Sequence, residues 1–177
     1  RDSTGDWSSD VCSSDLTRKS MENRRGKGLS FARRIYKPRI IGLGIGCISV
    51  IGGLYPLAMP SWVWALLLFN GLAWAHVAYQ LSIRSPFPYH AEQRNILYDS
   101  LCGGFWAAAA QFTPLTAVTI LSMMTMNNFA AGGRRLFLRG LLAQGAGIGV
   151  AWALFGMRFN PDVSPLQVYT CLPMLTL

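Results

Sequence analysis

Carboxylates are almost missing from most of this chain. Between Ile40 and Leu177 only Glu92, Asp99 and Asp162 carry one. Charged residues make up 14% of the whole, against about 25% in soluble domains. That leaves too little charge to cover a solvated surface and argues against a water-soluble body. Cysteine is sparse too: Cys47, Cys102 and Cys171 stand singly in apolar runs, with no CxxC pair, so neither a zinc site nor a disulfide framework is expected. Met123, Met124 and Met126 have no second cluster of soft ligands, so no metal is expected there. No Ser–His–Asp or Cys–His arrangement supplies a nucleophile with its base, and no catalytic residue is expected. The glycine run at 42–46 lies inside an apolar stretch rather than between a strand and a helix, which excludes a phosphate-cradling loop.

What is abundant is long apolar sequence. Runs occupy 40–55, 62–83, 96–112, 115–131 and 141–155, and another opens at Leu166. A span needs about 20 predominantly apolar residues, so the fold class expected is an all-α, polytopic transmembrane helix bundle of five spans plus a truncated sixth, cut inside a helix at Leu177. The stretch 96–131 as one helix would exceed about 50 Å, longer than the hydrocarbon core. It must fold back, and Thr113–Pro114 is the expected reversal because Pro114 disfavours helical geometry before it. Gly42 with Gly46, and Gly145 with Gly149, have GxxxG spacing and are expected to let helices approach within the bundle. Three regions follow: a non-native, unstructured scar at 1–16, a basic juxtamembrane segment at 17–39 and the transmembrane domain at 40–177. The stretch 6–16 resembles the translation of a sequencing adaptor.

The formal charge of +8 is concentrated: nine of the sixteen Lys and Arg lie between Arg18 and Arg39. Directly before an apolar run, such a cluster fits anionic lipid headgroups rather than nucleic acid, with Arg33, Arg34, Lys37 and Arg39 as the headgroup-binding residues. Basic residues also fall in alternate connections, which predicts a cytoplasmic N-terminus. That orientation gathers His76, Gln80, Asn95, Asp99, Asn127, Asn128 and Gln144 into a polar belt in the inner half. Asp99 is the one carboxylate expected within a span, where an unpaired charge is costly. It is expected to meet His76, directly or through water, and to line a pocket; the alternative is that both serve only as interhelical hydrogen bonds. Glu92 and Arg94 read as a weak surface pair in a solvent-facing loop.

Five strings in order, GLSFARRIYKPR at 28–39, WAHVAYQ at 74–80, NILYDS at 95–100, GGFW at 103–106 and AAGGRRLFLRGL at 130–141, resemble the membrane-associated sensor type 2 domain. The resemblance implies an integral-membrane input module placed before a cytoplasmic cyclase. That partner is most often a diguanylate cyclase, a nucleotidyltransferase with a GGDEF signature that makes cyclic di-GMP from GTP with Mg, and occasionally an adenylate or guanylate cyclase. It implies a homodimeric parent and no cofactor in this stretch. It directs attention to Arg33, Arg34, Pro38, Arg39, His76, Asn95, Asp99, Trp106 and the Gly132–Gly133 turn. No GGDEF run occurs in this sequence, so the activity would belong to the parent. A transporter or channel fragment and a stand-alone membrane interaction protein are the alternative readings.

Overall fold

A computed structural model of the protein describes residues 7–175, with side chains described over 20–174. Among the described residues every regular element is helical, as an apolar chain that must satisfy its backbone internally requires. The helices are α1 (Trp7–Leu54), α2 (Ser61–Leu68), α3 (Trp74–Arg84), α4 (Pro88–Ala109), α5 (Pro114–Phe155) and α6 (Pro165–Leu175). Residues 1–6 of the expected scar lie outside the described residues. From Trp7 the backbone is helical and continuous with the rest of α1.

Proline sets three of the starts. Pro88, Pro114 and Pro165 open α4, α5 and α6, where the missing N–H is one the helix would leave unpaired anyway. The reversal between α4 and α5 falls just before Pro114, as its geometry predicts. Gln111 and Phe112 turn with φ of 55° and 51°, and the Phe112 N–H reaches back to the Ala107 carbonyl at 3.0 Å.

Two irregularities shape the bundle. A five-residue π-turn, Phe69–Ala73, joins α2 to α3 in one continuous helix. Gly133, at φ 61° and ψ −157°, breaks α5 in a conformation that only glycine adopts cheaply. Around it the two arms fold back on each other: a Cβ on Gly140 would meet the Asn128 side chain, and Gln144 Nε2 donates to Thr125 Oγ1 at 3.3 Å. The basic loop expected between the fourth and fifth apolar runs is thus reduced to a turn at one glycine, and Arg134, Arg135 and Arg139 sit on helix.

Stretches long and apolar enough to cross a membrane lie in Ser20–Leu57, Ser61–Arg84 and Pro114–Phe155, the last of which turns back at Gly133. With 22 residues α4 has the length, but Glu92, Arg94 and Asp99 make it too polar to qualify. It is nevertheless the central helix. Gly103 faces Ile120 and Met124 of the first α5 arm, while Gly104 lies against the Gln144 backbone of the second arm. Gly147 returns that contact against the backbone of Leu101 and Phe105. Close approach is therefore carried by Gly104 and Gly147. Of the four glycines with GxxxG spacing, Gly42 lies against the Met123 side chain of α5, while Gly46, Gly145 and Gly149 face open space, so the spacing marks one close contact and not a paired seam.

Candidate functional site: a buried charge cluster

Because α4 begins at Pro88, Glu92, Asn95, Ile96 and Asp99 fall at i, i+3, i+4 and i+7 and share one helical stripe. All four are buried, and the stripe meets α1 and α3. From α1, Arg39 Nε donates to Asp99 Oδ2 at 2.9 Å, and Nη1 lies 2.5 Å from Glu92 Oε1. From α3, Trp74 Nε1 donates to Asp99 Oδ1 at 2.6 Å, and Ser82 Oγ to Glu92 Oε2 at 2.5 Å. Asn95 Nδ2 donates to both the Ala78 carbonyl and Ser82 Oγ, each at 2.9 Å. One guanidinium thereby bridges two carboxylates about two turns apart, and neutral donors reach the second oxygen of each, Trp74 at Asp99 and Ser82 at Glu92.

The side chains of Arg39, Glu92 and Asp99 are each no more than 4% exposed. A buried ion pair gains little over an apolar substitute, but removing one partner strands the other charge at roughly 3–5 kcal/mol. The cluster therefore locks α1, α3 and α4 in one relative register. Trp74 reaches Asp99 from the turn just after the π-turn, a feature that re-aims side chains. Within the π-turn, Asn70 Oδ1 accepts from Trp106 Nε1 at 3.2 Å.

These positions correct three expectations. Arg39 does not stand exposed with the rest of the basic segment: it is buried, and its Nε and Nη1 pair with Asp99 and Glu92 inside the bundle. Glu92 is not in a solvent loop: it lies on α4 with 0% exposure, while Arg94, two residues on, points outward. Asp99 does not meet His76, whose Nδ1 lies 2.8 Å from the Tyr36 hydroxyl in an exposed position.

The remaining candidates divide in two. Asn128, fully buried, exchanges hydrogen bonds with Ser100, Nδ2 donating to Oγ at 2.8 Å, and Trp106 is buried beside Asn70. Gln144 serves the α5 hairpin. Gln80, Asn127, Arg33, Arg34 and Lys37 are exposed.

A cleft of about 440 Å³ opens between α1 and the first arm of α5, and reaches Asp99 on α4. Arg34, Arg39 and Asn127 are its polar walls besides Asp99, and Ile35, Leu43, Met123 and Met124 are among its apolar ones. A cavity of about 30 Å³ adjoins it beyond Asp99, beside Asn70 and Trp106. Arg39 Nη2 is buried and has no hydrogen-bond partner. Among the described residues no group of three His, Cys, Asp or Glu is arranged to hold a metal.

Trp74, Ser82, Ser100 and Asn70 are the polar members that sequence reasoning missed. A signal existed for the cluster itself: Pro88 is a helix-start residue. A helix begun there places Glu92, Asn95 and Asp99 on one face and leaves two carboxylates needing a cation.

Residues 34–122 match the MASE2 domain family, and Arg39, Trp74, Glu92 and Asp99 all fall within that stretch. Two curated proteins, each named Probable diguanylate cyclase DgcC, from Escherichia coli K12 and Escherichia coli O6:H1, are 30% identical to the chain over 150 residues. The match covers 85% of this chain and 40% of each relative, so the chain spans well under half of their length. No solved structure matches.

Proposed function

Because the chain belongs to the MASE2 domain family, we propose that it is the membrane anchor and sensory input of a diguanylate cyclase, and that the Arg39 cluster is the part of it that changes with signal. Family membership makes it a membrane input domain of a signalling protein. The finer reading is carried by the similarity to relatives named as diguanylate cyclases, of which this chain corresponds to 40%. On this reading the parent protein condenses GTP to cyclic di-GMP with Mg in its cytoplasmic output domain, and works as a homodimer. The module sits in the bacterial inner membrane with its N-terminus in the cytoplasm, and Arg33, Arg34 and Lys37 contact anionic headgroups there.

The mechanism asks for two packings of the same helices, with a stimulus shifting the population between them. The Arg39–Glu92–Asp99 cluster is suited to this role, since it ties the basic helix α1 to the central helix α4 by contacts that are directional and costly to half-break. Asn95 and Trp74 support it, and Asn70 with Trp106 extends it toward the far end of the bundle. His76, Gln80, Asn127, Asn128 and Gln144 flank this route as secondary relay positions.

The test compares the full-length gene product with a version in which residues 28–177 are replaced by an unrelated membrane anchor. Cyclic di-GMP formed from GTP and Mg, and dimerisation by crosslinking, are the readouts. We expect output that changes with growth condition in the native protein and loses that dependence in the swap. Equal output under all conditions would reduce the module to an anchor, and absence of cyclic di-GMP from both proteins would overturn the cyclase assignment.

A further inference from the structure

The cleft between α1 and α5 has a chemistry that the relay does not use. Arg39 supplies Nε to Asp99 and Nη1 to Glu92, which leaves Nη2 buried and unpartnered. A buried donor without a partner costs on the order of 1–3 kcal/mol, more when charged, so Nη2 is a standing demand for an acceptor. Arg39 itself is a wall of the cleft, and Arg34, five residues earlier on α1, is exposed and lines the same space. Asn127 adds a third polar group from the α5 side.

Asp99 is the one carboxylate that lines the cleft. Both of its oxygens are engaged, by Arg39 Nε and Trp74 Nε1, and Glu92 is not among the residues that line the cleft. Arg33 and Lys37 stand exposed on the same stretch of α1 and keep the surroundings positive. The rest of the wall is apolar: Ile35, Leu43, Met123 and Met124, with Ala130 and Ala131. Methionines fit irregular apolar guests because they are unbranched and flexible. Volumes of 300–1,000 Å³ are usual for small-molecule sites, and about 440 Å³ falls within them.

We propose that this cleft binds an anionic phospholipid, whose phosphate oxygens accept from Arg34 and Arg39 Nη2 while an acyl chain lies along the methionine wall. The occupant is a lipid rather than a soluble phosphate because donors and apolar wall share one continuous space, and both must be matched at once. The inference rests on the membrane placement of the proposed function and not on any cyclase, so it is tested on the chain itself.

The chain is reconstituted in phosphatidylcholine vesicles containing a minority of phosphatidylglycerol, extracted in mild detergent and weighed intact by native mass spectrometry. We expect one phosphatidylglycerol retained in preference to phosphatidylcholine. Arg34→Gln should weaken retention about fivefold, the worth of one basic residue near an anionic surface. Ala131→Trp should abolish it by filling the cleft with the charge unchanged, and Ala130→Trp is the second blocking variant should Ala131→Trp fail to fold. Retention undiminished in a folded blocking variant would place the lipid on the outer surface and overturn the site. Displacement of the lipid by glycerol 3-phosphate at matched concentration would overturn the lipid assignment in favour of a soluble phosphate.

Discussion

α4 and the segment Ser61–Arg84 are neighbours of similar length built on opposite rules. The segment is apolar enough to cross a membrane, and Trp62, Leu66, Leu68, Phe69, Leu72, Val77 and Leu81 along it are exposed. α4 carries Glu92, Arg94 and Asp99, yet most of its residues are buried, from Glu92 to the run Gly103–Ala109. In a bilayer the apolar side chain has a satisfactory solvent outside the bundle, and the polar one does not. A helix with carboxylates at this depth is therefore drawn to the centre, where small residues allow neighbours to close on it and a cation from another helix meets its carboxylates. Hydropathy in this chain reports which helix faces lipid, not which helix organises the fold.

That contrast breaks most severely at Arg39. Arg39→Met should destabilise the chain by roughly 3–5 kcal/mol, because two buried carboxylates lose their shared cation. Thermal unfolding in mild detergent reads this loss directly. Neutralising all three in Arg39→Met/Glu92→Gln/Asp99→Asn should recover most of it, since an uncharged set of similar shape carries no stranded charge. If the triple variant stayed as unstable as the single one, α1 would be held by packing around Arg39 and not by its charge.

The next effect separates glycines of identical chemistry. Gly147→Ala puts a methyl group against the backbone of Leu101 and Phe105, where nothing flexible can give way, and overpacking of that kind costs about 1–3 kcal/mol. Gly145→Ala, on the same arm, meets open space and should be neutral or stabilising by less than about 1 kcal/mol. A smaller loss is expected at Asn128→Ala, which removes the pair with Ser100 that ties α4 to α5. Buried interhelical hydrogen bonds in membranes average about 0.6 kcal/mol and rarely exceed 2. The same unfolding measurement ranks all three, and a Gly145→Ala loss equal to that of Gly147→Ala would mean that this face is covered in the bilayer.

Much of this was legible beforehand, and what was not has one cause. Helical class and apolar segments follow from composition, and the α4–α5 reversal follows from Pro114. The polar residues of the expected belt were identifiable, because polar side chains inside apolar runs stand out singly. What failed was partner choice. A basic residue directly before an apolar run reads the same whether it reaches headgroups, as proposed for Arg34, or turns inward, as Arg39 does; only the carboxylates facing it separate the two. Glu92 was misread for the related reason that charges were taken to end a span, which placed the helix start near Ile96 and overlooked Pro88. The glycines show the same limit, since Gly145 and Gly147 differ in nothing but the face that the folded helix presents.

The smallest effect expected is also the sharpest control on the buried cluster. Tyr36 and His76 join α1 to α3 by a 2.8 Å hydrogen bond, one turn of α1 before Arg39, and the Tyr36 ring lies 4.4 Å from that of Tyr79. The seam therefore holds the same helix α1, to α3 rather than α4, by a shorter contact than the Arg39–Asp99 bond, but it is exposed, so water or headgroups can replace what either partner loses. Tyr36→Phe keeps the ring contacts and deletes only the hydroxyl, and should change stability by no more than about 0.5 kcal/mol. An effect as large as that of Arg39→Met would show that the exposed seam, and not the charge cluster, fixes α1. A small one would leave burial as the property that gives the Arg39 contacts their weight.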